Sequence, residues 1–205
     1  MFKLYGYPHS RSMRVAWALE EVGARYDYEK VDFGKNAHRA PEFLALNPGG
    51  KVPVLTDGDL VLTESAAIII HVGDRHPDSG IVPPAGSRER ALMNKWCFFS
   101  MSELEQPLWT INKHRVNLPE ALRVPAVIDT ARHEFAVVAE VLENAFGSGP
   151  YLLGERFTVA DILVSATLGW ARSLSLPYAD KLESYRRLCT GRPALKAAIT
   201  REQAA

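Results

Sequence analysis

The sequence predicts an α/β N-terminal domain built on a mixed four-stranded sheet, followed by an all-α C-terminal helical bundle. Three observations carry this. Strand and helix patterns alternate over residues 1–76 of a chain of 205 residues. Residues 77–87 hold three prolines and two glycines and read as a linker. From residue 88 to 205 the strand patterns vanish and only helical periodicity remains.

Each element has a local reason. Phe2 to Tyr5 is a short strand. Met13 to Val22 is a helix, with Val15, Leu19 and Val22 on one stripe and Gly23 as its C-terminal cap. Tyr26 to Val31 is a second strand with Tyr26 and Tyr28 on one face. Pro41 to Leu46 is a short helix stopped by Asn47-Pro48-Gly49-Gly50. Pro53–Leu55 and Leu60–Leu62 flank Thr56-Asp57-Gly58-Asp59, and Asp-Gly between apolar runs signals an antiparallel hairpin. Glu64 to His76 is helical. The order β-α-β-α-β-β-α joins a βαβ unit to a hairpin and a helix. Beyond the linker, Ser87–Lys113, Glu120–Ala145, Val159–Ser173 and Lys181–Arg201 are helical. The third of these opens on Thr158-Val159-Ala160-Asp161, a capping box with Phe157 and Ile162 at the staple positions. It is a stability device of about 1 kcal/mol and carries no chemistry.

Composition excludes several function classes. Lys plus Arg equals Asp plus Glu, 24 against 24, so nothing general points to a nucleic-acid or anionic-membrane partner. Cys97 and Cys189 stand far apart in no metal-like spacing, which argues against a disulfide scaffold and a zinc site. No apolar stretch is longer than Ala66 to Ile70, which is too short to span a bilayer. A reducing cytoplasm is the expected location.

Three segments of the first domain carry candidate chemistry. Tyr7-Pro8-His9-Ser10-Arg11-Ser12 leads into the first helix, where free N–H groups and the helix dipole favour an anion; plain capping by Ser10 or Ser12 explains it as well. Asn47-Pro48-Gly49-Gly50-Lys51-Val52-Pro53 offers a sharp turn and a cation. It is not a phosphate loop, since Val52 follows the lysine. Thr63-Glu64-Ser65-Ala66-Ala67-Ile68 opens a helix. Glu64 and Ser65 can cap it, or they can hold the ammonium and carboxylate of an α-amino-acid end.

Taken in order, these segments resemble the cytosolic glutathione transferase family, of bacterial, serine type. The pattern Asn-Pro-x-x-Lys-Val-Pro-x-Leu stands here as Asn47 to Leu55, followed by a hairpin and by Glu64-Ser65-Ala66-Ala67-Ile68; Phe157 to Asp161 matches the family's helical capping box. The resemblance implies a thioredoxin-like glutathione-binding domain over 1–76 and an all-helical, electrophile-binding domain over 88–205. It implies a cis Pro53, with the Val52 backbone pairing with the cysteinyl part of glutathione. Glu64 and Ser65 would hold the γ-glutamyl end, and Lys51 and His38 the glycyl carboxylate. Ser10 would be the catalytic hydroxyl that stabilises the thiolate, with Ser12 and Tyr5 as the alternatives. Glutathione would be the co-substrate, no metal would be needed, and the protein would be a detoxification enzyme, dimeric with itself. A glutathione-dependent isomerase or dehalogenase, or a non-catalytic interaction module on the same fold, are the competing readings.

Overall fold

The computed structural model of the chain describes every residue but Ser148. In chain order its elements are β1 Phe2–Gly6, α1 Ser12–Glu21, β2 Tyr26–Lys30, α2 Pro41–Leu46, β3 Val54–Asp57, β4 Leu60–Leu62, α3 Ser65–Asp74, α4 Arg88–Phe99, α5 Glu105–Asn112, α6 Ala126–Ala145, α7 Val159–Ser173, α8 Asp180–Thr190 and α9 Pro193–Ala204. By packing they form two units: Met1–Pro84 with Gly191–Ala205, and Ala85–Thr190.

The first unit is the expected mixed sheet, in the order β2-β1-β3-β4, with β1 parallel to β2 and antiparallel to β3. The period-2 alternation of β1 sorts its two faces. Phe2 and Leu4 are buried, and Phe2 meets the rings of His71 and His76 on the α3 side. Tyr5 points the other way, onto Phe43 of α2, and packs with the cluster of Val31, Phe43 and Val54. Gly58, at φ +64°, turns the β3–β4 hairpin at the Asp-Gly step. Within the stretch read as a linker, Ile81 and Val82 are buried.

α9 packs within this first unit, whereas the sequence reading ran the helical domain on to residue 205. The helix expected over 181–201 ends at Thr190, and Pro193 opens α9 in its first turn, the one part of a helix that needs no proline N–H. α9 lies along α1. Arg192 grips Glu21 with two bonds of 2.6 and 2.7 Å. Arg201 pairs with Glu20 at 3.0 Å and sits over the Tyr26 ring.

Among its described residues the second unit has helices and no strand, apart from isolated bridges in the 151–156 loop. The helix expected over 87–113 is interrupted by a π-helical segment, Ser100–Leu104. Pro107 follows, with no N–H to give the carbonyl four residues back and a ring that crowds it, and a π turn absorbs that conflict. Asp161 is fully buried at the start of α7. It accepts from the N–H of Thr158 (2.8 Å), the N–H of Leu152 (2.9 Å) and the hydroxyl of Tyr185 (2.9 Å). Cys97 and Cys189 are both buried, and burial pushes the Cys97 thiol up to about 12.

Candidate functional site

Strand register gathers the candidate segments of the first unit at one end of its sheet. Tyr5 pairs with Val54, so the loop after β1 faces the Val52-Pro53 step that leads into β3. Leu62 pairs with Leu55, which sends Glu64 and Ser65 out at that same end. β2 runs parallel to β1, with Gly6 opposite Lys30, so the segment carrying His38 emerges there too. α1 and α3 both start at this end, bringing two helix N-termini and their partial positive charge.

In the first loop Ser12 is fully buried and Ser10 partly so. The Ser10 Oγ accepts from the Ser12 N–H at 3.1 Å, so the capping reading is realised. More is present, however. The Ser12 Oγ lies 2.8 Å from the Ser10 Oγ, 3.0 Å from the Tyr7 N, 2.9 Å from the Tyr7 O and 3.1 Å from Oε1 of Glu202 on α9. Tyr28 reaches the same Oε1 at 3.2 Å. Ser10 is therefore the hydroxyl at the open end of a hydrogen-bonded set, and Ser12 is its buried link. Tyr5 packs the sheet with Phe43 and Val54.

The Val52–Pro53 peptide is cis, as the resemblance implied. Asn47 organises the loop ahead of it, accepting from the Gly49 N–H at 3.0 Å and donating to the Lys51 carbonyl at 2.7 Å. Lys51 itself is exposed. Gly50 has φ +59°, and a Cβ there would lie 2.9 Å from the His38 carbonyl. Only glycine lets these two segments approach so closely. His38 stacks on Phe33, with ring centroids 4.4 Å apart, and Phe33 meets Tyr7 edge-on. The His38 Nδ1 is buried and has no hydrogen-bond partner among the described residues.

At the third segment the capping alternative fails. Neither Glu64 nor Ser65 makes a side-chain cap bond to α3. Glu64 has φ +66° and ψ 108°, a region that non-glycine residues rarely occupy and that costs on the order of 1–3 kcal/mol. Its side chain is exposed. Ser65 is 2% exposed, and its Oγ has no partner among the described residues. A buried unpaired hydroxyl is itself costly, so both residues are held in states that stability alone does not select.

The residue missed by sequence reasoning is Glu202. It stands 190 residues from Ser12, and no local pattern marks it. Burial raises its carboxyl to about 7, with the hydrogen bonds from Ser12 and Tyr28 pulling the other way. Among the described residues no group of three or more His, Cys, Asp or Glu is placed to hold a metal ion, and no helix is long and apolar enough to cross a membrane.

The N-terminal domain of the glutathione S-transferase family matches residues 1–74, and its C-terminal domain matches residues 125–201. A probable glutathione S-transferase of Oryza sativa is 32% identical over 89% of this chain and 86% of its own. The disulfide-bond oxidoreductase YfcG of Escherichia coli is 27% identical over 99% of this chain and 96% of its own. A sphingomonad glutathione S-transferase, solved in complex with glutathione, is 29% identical with a TM-score of 0.85, covering 99% of this chain and 100% of its own.

Proposed function

The chain belongs to the glutathione S-transferase family, and on that premise we propose that it binds glutathione at the sheet end described above and activates its thiol for attack on a small hydrophobic electrophile. The observation that carries the reading is the Ser65 hydroxyl, buried and unpaired at a helix N-terminus where an anion is favoured. In this reading Ser65 and the first N–H groups of α3 take the γ-glutamyl carboxylate and Glu64 takes the ammonium. The Val52 backbone, next to the cis Pro53, pairs with the cysteinyl residue. Lys51 and the unpaired Nδ1 of His38 take the glycyl carboxylate. Ser10 donates its hydrogen to the sulfur.

The chemistry follows from the thiol. A free cysteine thiol has a pKa of about 8.5, so little is ionised at neutral pH. A hydroxyl aimed at the sulfur favours the thiolate without itself losing a proton. The thiol proton passes to solvent, the sulfur lone pair forms the C–S bond, and the leaving group departs with its bonding pair. The working protein in this reading is a cytoplasmic homodimer, and sedimentation at twice the chain mass checks the second part.

The deciding experiment is the ultraviolet absorbance of bound glutathione thiolate titrated against pH. Wild type is expected to show a bound thiol pKa at least one unit below the free value, with most of the shift lost in Ser10→Ala. Failure to bind glutathione would leave the interaction module as the better account.

Full-length similarity to a disulfide-bond oxidoreductase favours one second reading. No cysteine lies in the Tyr7–Ser12 loop, so two glutathione thiols would supply the electrons, reducing a disulfide to two thiols and leaving oxidised glutathione. Assay with a small disulfide substrate separates this from conjugation.

A further inference from the structure

The Ser12 hydroxyl has one hydrogen and two lone pairs, yet four polar atoms lie within 3.1 Å of it: the Tyr7 N–H, the Tyr7 carbonyl, the Ser10 Oγ and the Glu202 Oε1. The proton count decides which arrangements are possible. The Tyr7 N–H always donates, taking one lone pair of Ser12. The Tyr7 carbonyl already accepts from the Ser10 N–H at 3.2 Å, so it does not depend on Ser12. What remains is a line of three groups, Glu202, Ser12 and Ser10, that can run in either direction; the Tyr28 hydroxyl stands beside both Glu202 and Ser12 and gives its hydrogen to Oε1 of Glu202.

We propose that Glu202 is a positioning residue for thiol activation: as the neutral acid it donates to Ser12, Ser12 donates to Ser10, and the Ser10 O–H is left free to point at the sulfur. In that state the Ser10 oxygen accepts twice, from the Ser12 hydroxyl and the Ser12 N–H, so its own hydrogen has no internal acceptor. When Glu202 is a carboxylate it can only accept. Ser12 then donates to it, Ser10 donates to Ser12, and the hydrogen that would serve the thiolate is turned inward. The inference rests on the reading of Ser10 as the thiol's donor.

The surroundings are built for this line. A Cβ on Gly6 would lie 2.6 Å from the Tyr28 hydroxyl and 2.8 Å from the Ser12 Oγ, so β1 gives up a side chain where the three groups meet. Glu202 is 3% exposed. The other charged groups on the elements around it are Arg14, Glu20 and Glu21 on α1, Asp27, Glu29 and Lys30 on β2, and Lys196 and Arg201 on α9 itself. Glu20 is matched by Arg201, Glu21 by Arg192 and Glu29 by Lys3. The acid's elevated titration, near neutrality, follows from burial and lets both directions of the line be populated where the enzyme works.

The test is the bound-thiolate titration in wild type, Ser10→Ala, Glu202→Gln and Tyr28→Phe, with the KM for glutathione measured alongside. Wild type is expected to titrate over a broadened range, because ionisation of Glu202 withdraws the donor as the thiolate forms. Glu202→Gln supplies an amide N–H in place of the acid proton. Its curve is expected to sharpen to a single site with an apparent pKa no higher than wild type, and its KM to stay within about twofold. Tyr28→Phe removes a donor from the carboxylate and is expected to move the broad part of the curve to higher pH. A Glu202→Gln curve that superimposes on wild type, or that matches Ser10→Ala, overturns the proposal, as does a Tyr28→Phe curve with no displacement. A Ser10→Ala thiol pKa that stays at the lowered wild-type value instead removes the premise, and it is read from that variant alone.

Discussion

Two helices of this protein begin in opposite ways. At the start of α7 the polar side chains are paired: the buried Asp161 gathers the N–H of Thr158, the N–H of Leu152 and the hydroxyls of Thr158 and Tyr185. At the start of α3 the same kind of junction carries a strained glutamate and a buried serine hydroxyl with no partner among the described residues. Both are a hydroxyl residue and an acid at a helix N-terminus. One arrangement lowers the energy of the folded chain, and the other leaves a buried hydroxyl that the proposed glutathione carboxylate would satisfy. Polar satisfaction therefore separates the structural cap from the proposed binding site where residue type does not.

The comparison can be broken from its strong side. Asp161→Ala strands the buried N–H and hydroxyl of Thr158 and the buried Tyr185 hydroxyl, each costing about 1–3 kcal/mol, so the whole chain is expected to lose at least about 3 kcal/mol of stability in chemical denaturation. A loss under about 1 kcal/mol would show that the α7 junction is no more committed than the α3 one. Ser65→Ala probes the other side. It removes an unpaired group, so stability should hold or rise slightly, while the Kd for glutathione rises on the order of tenfold to a hundredfold, the worth of a hydrogen bond to a charged group. Calorimetric binding and thermal unfolding of one preparation read both.

Glu202 is another buried carboxyl, with fewer hydrogen bonds than Asp161. Its folded value of about 7 lies above that of an unfolded glutamate. The folded state therefore binds the extra proton, and the stability this gives is present below about pH 4.5 and lost as pH rises to about 7. Wild type minus Glu202→Gln should show a fall on the order of 2 kcal/mol across that window, and parallel curves would remove the effect. The smallest expected change is Glu64→Gly. Relief of the positive φ should stabilise the chain by about 1 kcal/mol while weakening glutathione binding, a split that a simple cap would not show.

Much of this was legible in the sequence because the relevant physics is local. Alternation marks β1, Asp57-Gly58 marks the hairpin, and Thr158 to Asp161 mark the α7 start. The Asn47–Pro53 and Glu64–Ile68 strings carry the family resemblance, while it takes the strand register to show that they share one end of the sheet. What was hidden depends on contacts between distant parts of the chain. Pro107 was visible, but the π segment ahead of it answers packing as well as the missing N–H. Ser65 could be read as a cap until its burial was known. Glu202 belongs to an ordinary polar helical tail, and only the packing of α9 on α1 brings it to Ser12.

That packing has a consequence for the order in which the molecule can be made. α9 is synthesised only after all of Ala85–Thr190, yet it covers the α1 face of the unit begun by the first residues. A nascent chain stopped at Thr190 would carry α1 with that face bare, with Glu20 and Glu21 lacking their arginines and Ser12 lacking its carboxyl. The sheet end that holds the candidate site would be finished only after Ala85–Thr190 had been made, so on the ribosome its assembly would report that this intervening unit had already emerged.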